Sequence, residues 1–151
     1  DELKSSQFNY DRKIEKRVIG FTNGCFDILH IGHIKLFEYA KKHCDFLIVG
    51  LNSDQSVNSL KGQGRPINSQ INRKEILDSI KYIDEVVIFD ELTPEKLIKN
   101  ILPDVLIKGS DYEIKDIVGA EIVKSHGGKV LRFSLIQGES TSQKIIDLDN
   151  G

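Results

Sequence analysis

Two histidines, His30 and His33, stand on either side of Gly32, where an apolar segment gives way to a pattern of helical character. Residues three apart share one face of a helix, so both imidazoles would point the same way from its first turn. A helix N-terminus attracts anions, and a glycine there lets a phosphate approach the backbone. The pattern predicts a phosphate site for phosphoryl or nucleotidyl transfer, in which fixed donors surround oxygens that gain charge.

Other interpretations of this histidine pair require less chemistry. An arbitrary pair at this spacing is more often a surface or capping pair, but the preceding strand, the glycine and a polar loop favour a functional role. A zinc site formed by the histidines and a cysteine lacks the usual ligand spacing, so we expect no metal site built by the protein. Cys25 and Cys44 are expected to be small buried hydrophobic residues.

Composition narrows the class of protein. The chain has 151 residues, of which 39% are hydrophobic, enough for one domain with its own core. Its 21 basic and 23 acidic residues give a formal charge of −2 and are mixed along the chain. This argues against a nucleic-acid or membrane binder and favours a small-molecule partner. The two cysteines form no CxxC pair, which favours a reducing cytoplasm.

Apolar segments of strand character alternate with segments of helical character. The strands are predicted at residues 17–22, 46–51, 85–89, 104–107 and 129–133. Helices are predicted at 72–80, at 94–101 with Thr93 as N-cap and Pro94 in the first helical position, and at 116–125, closed by Gly127 and Gly128. The alternation predicts an α/β fold with a Rossmann-like open parallel sheet and helices on both faces.

The polar stretches around these segments suggest where a ligand binds. In an open parallel sheet, ligands lie beyond the carboxyl ends of the strands, which places residues 22–27 at that edge. A long irregular loop between Val57 and Ile71 carries Lys61 and Arg65, and such loops in compact domains are more often functional than idle. Residues 1–16 are polar and are predicted to form an N-terminal arm. The sequence starts at Asp1 and has no Met, so we expect an upstream start.

The histidine pair belongs to a longer motif with a recognisable family resemblance. The stretch TNGCFDILHIGH, residues 22–33, resembles the small nucleotidyltransferases of the cytidylyltransferase-like superfamily. Class I aminoacyl-tRNA synthetases share the HIGH element, but the chain is too short for them and lacks their KMSKS motif. Four further segments narrow the resemblance to heptose 1-phosphate adenylyltransferases: LNSD (51–54), LKGQGRP (60–66), LPDVLIKGSDY (102–112) and GESTS (138–142). It covers nearly all of residues 17–146 and departs at Ser110, where glycine is usual, and at Ser142, where threonine is commoner.

The resemblance implies roles for individual residues. His30 and His33 would contact the triphosphate and stabilise the transition state at the α-phosphorus, and Lys61 on the long loop would reach the phosphates. The nucleotide-binding residues would be Thr22, Asn23, Gly24, Phe26, Gly32, Lys108, Gly109, Ser140, Thr141 and Ser142. The last three would form an anion site at the start of a helical run containing Ile145 and Ile146. Further phosphate or substrate contacts would come from Asp27, Arg65, Arg73 and Asp111; Asp27 could orient donors, bind the acceptor or cap the next helix.

The resemblance also implies an activity. Residues 17–151 would form a nucleotidyltransferase domain that transfers an adenylyl group from ATP to D-glycero-β-D-manno-heptose 1-phosphate, giving ADP-heptose for bacterial lipopolysaccharide. Mg²⁺ would come with the triphosphate, and the partners would include a second copy of the chain and a sugar kinase, associated covalently or functionally. The alternatives are another small nucleotidyltransferase, such as a glycerol-3-phosphate cytidylyltransferase, and a nucleotide-binding module without turnover. The intact His30, His33 and Lys61 argue against the module, since a pure binder needs no groups at the α-phosphate.

Overall fold

A computed structural model describes residues 17–110 and 113–135 and the backbone of residues 143–146. The predicted N-terminal arm, Asp111 and the Ser140–Ser142 segment lie outside the described residues. Within the ranges described, no helix is long and apolar enough to cross a membrane.

Strands and helices alternate along the described chain. The strands are β1 (Ile19–Gly24), β2 (Phe46–Asn52), β3 (Glu85–Phe89), β4 (Val105–Gly109), β5 (Lys129–Leu135) and β6 (Gln143–Ile146). The helices are α1 (Ile31–Lys42), α2 (Asp54–Lys61), α3 (Gln70–Asp78), α4 (Glu95–Ile101) and α5 (Ala120–Ser125), with a 3₁₀ turn at Ile114–Asp116. Each predicted strand agrees with an observed one to within two residues at either end.

The strands form one sheet in the order β3-β2-β1-β4-β5-β6. The first five are parallel, and β6 pairs antiparallel with β5 at the edge. The predicted α/β fold with a Rossmann-like parallel sheet is confirmed, with this antiparallel edge strand added. The helical run predicted at Ile145 and Ile146 is wrong, because both residues belong to β6. Two adjacent β-branched residues favour a strand when a neighbouring edge is open to pair with them.

Helices cover both faces of this sheet. One buried cluster lies beneath α4 and α5 and includes Leu97, Ile98 and Val123; the other lies beneath α1 and α3 and includes Phe37 and Leu77. The central strands are buried on both faces, which is why they read as continuous apolar runs rather than as an alternating pattern.

Helix ends differ from the predictions where local signals were ambiguous. The helix predicted at 72–80 spans Gln70–Asp78, and Ser69 caps it by accepting a hydrogen bond from the N–H of Asn72. Pro94 is the N-cap of α4 rather than its first residue. The helix predicted at 116–125 is interrupted, because Gly119 has a φ of 90° and separates the 3₁₀ turn from α5.

The order of the strands creates one position where neighbouring connections diverge. The chain runs from β1 to β2 and β3 on one side of the sheet, and from β4 to β5 on the other. The crevice outside the carboxyl ends of β1 and β4 is therefore the topological switch point, where open α/β sheets bind ligands.

Candidate active site

A cavity of about 1050 Å³ opens at this switch point. Its walls come from the ends of β1, β2, β4 and β5, the first turn of α1, and the end of α2 with the loop that follows. The predicted site residues that line it are Asn23, Gly24, Phe26, Asp27, His30, Gly32, His33, Lys61, Arg65, Lys108 and Gly109. The structure thus brings most of the predicted residues to one place.

His30 and His33 form a reciprocal cap at the start of α1. His30 is the N-cap, and its Nδ1 accepts a hydrogen bond from the N–H of Gly32 at 3.0 Å. The Nδ1 of His33 accepts from the N–H of His30 at 3.2 Å. Because both Nδ1 atoms accept hydrogen bonds from backbone N–H groups, a neutral ring at either position carries its own proton on Nε2. No described residue bonds to either Nε2, so both remain available as donors at the cavity wall.

The surroundings of His33 favour its neutral imidazole. Burial lowers the pKa of His33, and the neighbouring His30 lowers it further. The two ring centroids are 4.0 Å apart, and the ring of Phe26 meets that of His33 edge to face at 5.5 Å. At neutral pH His33 is therefore an N–H donor without a charge, and lysine and arginine side chains supply positive charge at the cavity wall.

Gly32 is required by the cap itself. A Cβ atom at this position would lie 2.8 Å from Cε1 and 3.0 Å from Nδ1 of His30. Any side chain would displace the ring that accepts the Gly32 N–H. The glycine predicted to admit a phosphate thus first makes room for the imidazole.

Phe26 supports the pair from below. Its φ of 45° lies in the left-handed region, which is unusual for a bulky residue and costs about 1–3 kcal/mol. Its ring is buried against His33 and also against Phe37, whose ring centroid is 5.4 Å away. The observed contact is with an imidazole, and the predicted contact with a nucleotide stays a prediction.

Three cationic side chains reach the cavity from different elements. Lys61 was predicted on the loop but is the last residue of α2, and Gly62, with a φ of 93°, is the C-cap that follows it. Its side chain is exposed and forms no ion pair with any residue in the described ranges. Arg65 follows on the loop after α2. Lys108 extends from β4 towards β1, with its Nζ 3.2 Å from the carbonyl oxygen of Asn23, and so spans the switch point.

The carboxylate of Asp27 is hydrogen-bonded to other groups of the protein. This carboxylate is buried; Oδ2 accepts from Nε of Arg65 at 2.7 Å and from the N–H of Ile67 at 2.8 Å, and Oδ1 accepts from the N–H of Asn68 at 2.9 Å. Burial raises the pKa of Asp27, but the two backbone donors and the Arg65 guanidinium together lower the pKa to about 2. Of the roles left open for Asp27, orienting a donor fits this geometry, and capping α1 does not, because His30 fills that place.

Arg73 was predicted to contact phosphate, and the structure gives it another role. It is 1% exposed and does not line the cavity. Its guanidinium donates to the carbonyl oxygens of Asn68, Cys25 and Asn52 and to the Asp54 carboxylate. Arg73 therefore joins the turn after β1, the end of β2 and the loop before α3.

Thr22 was also predicted to bind the nucleotide, and it too lies beneath the cavity. It is 0% exposed within β1 and is absent from the cavity wall. Because side chains alternate along a strand, Thr22 faces away from its neighbour Phe21, towards the side of the sheet that α1 covers. Its side chain belongs to the layer under the site.

Several residues of the cavity wall were not predicted. They are Leu92, Thr93 and Pro94 after β3, Asp116, Ile117 and Val118 around the 3₁₀ turn, and Phe133 and Ser134 on β5. The rule that ligands bind beyond strand ends would have found the first and last groups. Cys25 also lines the cavity, and burial raises the pKa of its thiol, so it stays protonated at neutral pH.

The donor set of the cavity suits anions rather than a resident metal ion. Among the residues described, no group of three or more His, Cys, Asp or Glu is arranged to hold one. The Asp27 carboxylate is already occupied by three N–H donors. Mg²⁺ prefers oxygen ligands and is often held mainly by substrate phosphates, so these residues fit an ion that arrives on a triphosphate.

Comparison with protein families assigns the chain. A family model described as Cytidylyltransferase-like matches residues 21–137. The chain belongs to the cytidylyltransferase-like family. The match runs from β1 to beyond the end of β5, so this cytidylyltransferase-like region contains every described strand end that borders the cavity. The predicted family resemblance is confirmed.

Individual relatives agree with this assignment. The bifunctional protein HldE of Mesorhizobium japonicum is 50% identical over 139 residues, which are 92% of this chain and 28% of that protein. The bifunctional protein HldE of Paramagnetospirillum magneticum is 52% identical over 127 residues, 84% of this chain and 26% of that protein. The cytidylyltransferase-like chain thus spans little more than a quarter of these relatives.

Solved structures share the fold. The lipopolysaccharide core biosynthesis protein from Thermoplasma volcanium matches with a TM-score of 0.64 at 26% identity, over 77% of this chain and 95% of that one. The pantoate-beta-alanine ligase from Francisella tularensis matches with a TM-score of 0.59 over 93% of this chain and 68% of that one. At 21% identity, this second likeness shows the fold alone.

Proposed function

We propose that this cytidylyltransferase-like domain transfers an adenylyl group from ATP to D-glycero-β-D-manno-heptose 1-phosphate and releases pyrophosphate. The observation that carries the proposal is the reciprocal cap of His30 and His33, which commits both Nδ1 atoms to the backbone and leaves two Nε2–H donors at the cavity. Donors fixed before the substrate arrives need no reorganisation during the reaction, and this is the main source of electrostatic catalysis.

The chemistry needs no nucleophilic side chain. An oxygen of the sugar 1-phosphate attacks the α-phosphorus of ATP, the bond from that phosphorus to the bridging oxygen breaks, and pyrophosphate leaves. His30 and His33 would donate from Nε2 to the α-phosphate oxygens as these gain charge. Lys61 would neutralise the leaving pyrophosphate, and Lys108 would hold the nucleotide near β4. Cys25, with its protonated thiol, takes no part.

Mg²⁺ would enter with the nucleotide and neutralise charge on the phosphates. The described residues offer no carboxylate cluster of their own for the ion, and phosphate oxygens supply the ligands that it prefers. The protein's part is to hold the remaining phosphate oxygens in place and to align the acceptor for attack.

The choice of acceptor rests on sequence. The five ordered segments that resemble heptose 1-phosphate adenylyltransferases support it, as does the identity of about half with HldE proteins over most of the chain. Because those relatives are called bifunctional and are more than three times as long as this chain, we propose that the domain works beside a second activity, a sugar kinase. A homodimer, a cytoplasmic location and the limits of the domain at residues 17 and 151 remain predictions.

A panel of substrates tests this proposal. Pyrophosphate release would be measured with ATP, CTP, GTP and UTP, each with heptose 1-phosphate and, separately, with glycerol 3-phosphate, in the presence of Mg²⁺. We expect release with ATP and heptose 1-phosphate. Release with CTP and glycerol 3-phosphate alone would replace the substrates while keeping the site. Nucleotide binding without release from any pair would favour the module without turnover.

A further inference from the structure

We infer that Asp27 is a positioning residue that acts through Arg65, and that the terminal guanidinium nitrogens of Arg65 bind a phosphate oxygen of one of the two substrates. The inference deepens the proposed function and rests on it for the identity of those substrates. Asp27 and Arg65 both line the cavity, so their position alone does not show which of them contacts a substrate.

The guanidinium of Arg65 is held at Nε only, within the part of the chain that the structure describes. Its Nε donates to Oδ2 of Asp27 at 2.7 Å, while neither terminal nitrogen bonds to any residue in the described ranges. The side chain is 35% exposed and borders the cavity. A guanidinium presents its donors in one rigid plane, so fixing Nε also fixes the direction of the two terminal nitrogens. That free end matches a phosphate, which accepts two parallel N–H bonds.

The group that holds Arg65 in place is the buried carboxylate of Asp27. The Asp27 side chain is 2% exposed and is held by the backbone N–H groups of Ile67 and Asn68. The side chain of Asn68 closes the arrangement by donating to the carbonyl oxygen of Asp27 at 2.6 Å. The carboxylate therefore cannot follow Arg65 into the cavity. An arginine held in this way is already oriented and loses less side-chain freedom when it binds.

The ion pair between Asp27 and Arg65 also determines the charge at this part of the cavity wall. An unpaired carboxylate at this wall would repel a phosphate, yet Asp27 has its acceptor oxygens directed at N–H donors of the protein. The ion pair leaves no net charge at the wall, while the donors that face the cavity belong to Arg65. Asp27 thus faces the protein and Arg65 faces the ligand.

A double-mutant cycle tests the inference. The variants are Arg65→Met, Arg65→Lys, Asp27→Asn and the double variant Asp27→Asn with Arg65→Met, and Asp78→Asn is the matched control. The control makes the same Asp-to-Asn change in another ion pair, because Asp78 pairs with Lys74 at 2.8 Å on the surface of α3 and lies outside the cavity wall. For each protein, the affinities for ATP, heptose 1-phosphate and inorganic pyrophosphate would be measured by calorimetry, with KM and kcat alongside and thermal unfolding to verify the fold.

The expected pattern is specific. Arg65→Met should weaken binding of one substrate by about tenfold or more, which corresponds to a lost charge-assisted bond. Arg65→Lys should lose about as much, although it keeps the charge, because a lysine bound to Asp27 has no second donor pair. Asp27→Asn should weaken binding of the same substrate, and the double variant should be no worse than Arg65→Met. The control should bind as the wild type does.

The three affinities show which substrate Arg65 contacts. Together with turnover, they distinguish failure of this inference from failure of the proposed function. An effect on ATP and pyrophosphate places the contact on the nucleotide, and an effect on heptose 1-phosphate places it on the acceptor. Losses in the double variant that multiply would overturn the inference, because Asp27 would then act independently of Arg65. So would unchanged affinities in Arg65→Met, or a wild type that binds none of the three compounds. If the wild type binds but does not turn over, only the proposed function fails.

Discussion

The two ring nitrogens of each active-site histidine have separate tasks. In His30 and His33 the Nδ1 atoms accept backbone N–H groups at the start of α1, and the Nε2 atoms remain for a ligand. Under the proposed function, a capping histidine and a catalytic histidine are the same residue. The cap sets the orientation of the donor, so the observed capping role does not exclude the proposed catalytic role.

Replacing His30 with asparagine separates these two tasks. Asparagine is among the best N-cap residues, so we expect the free energy of unfolding to stay within about 1 kcal/mol of the wild type. The donor at Nε2 is lost, and turnover should fall by about a hundredfold or more. Urea unfolding and pyrophosphate release measure the two effects. His30→Ala, the control, should lose stability as well as turnover; near-normal turnover in folded His30→Asn would refute the role of Nε2.

The lowered pKa of His33 makes stability depend on pH. Its pKa is below 6.5 in the folded protein and returns to 6.5 on unfolding, so the unfolded chain binds more protons in the interval between the two values. The free energy of unfolding should therefore fall as the pH drops below 6.5. His33→Gln keeps a side chain that can reach the N–H of His30 but does not titrate. Urea unfolding across this interval should give a shallower pH dependence for His33→Gln, and identical slopes would contradict the assignment.

Local spacing made the histidines predictable, whereas distant partners decided the role of Arg73. The cap involves residues two and three apart. Arg73, in contrast, bonds to carbonyl oxygens 5, 21 and 48 residues away. An arginine after a glycine-rich loop looks the same in sequence whether it binds phosphate or backbone, and only the folded chain separates Arg73 from Arg65.

At the scale of elements, two buried charges of opposite sign hold the loop between α2 and α3. Asp27 accepts from the backbone N–H of Asn68, and Arg73 donates to the carbonyl oxygen of the same residue. The loop is thereby fixed to the turn after β1 from two directions. This explains how an exposed glycine-rich segment can present Arg65 at a defined place.

Removing the buried arginine should release that loop. Arg73→Met leaves three carbonyl oxygens without their donor, so we expect the free energy of unfolding to fall by about 3 kcal/mol or more. Lys74, the next residue, pairs with Asp78 on the helix surface, and Lys74→Met should change it by no more than about 0.5 kcal/mol. Urea unfolding of both variants makes the comparison. Equal losses would show that Arg73 does not hold these segments together.

Strands and helices were predictable where their burial produces a recognisable pattern of apolar residues in the sequence. The strands β2, β3 and β4 contain apolar runs at residues 46–49, 86–89 and 105–107, while β1 and β5 contain shorter apolar stretches interrupted by polar residues. The positions of the strands follow from these stretches. The pair Ile145 and Ile146 was too short to reveal its period, and pairing with β5 made it a strand. Lys61 was predicted on a loop because the helix α2, which it ends, was not predicted. Ser53 caps this helix at the start of a segment that is otherwise rich in polar loop residues.

For the molecule as a whole, the sheet order explains why distant segments meet in one cavity. The reversal between β1 and β4 places the ends of both strands beside the start of α1. The fold class and family were predictable because their signatures are spread along the chain. Which residues lie under the cavity rather than in its wall, as Thr22 and Arg73 do, depended on packing that the pattern does not encode.

The most direct test of the central claim is the identity of the product. The chain would be incubated with ATP, Mg²⁺ and D-glycero-β-D-manno-heptose 1-phosphate, and the products would be identified by mass spectrometry and quantified. The account predicts ADP-heptose and pyrophosphate in equal amounts, because the sugar phosphate itself attacks the α-phosphorus. AMP with pyrophosphate would show that water takes the adenylyl group, and unconverted ATP would show that the site does not transfer it; either result would contradict the proposed function.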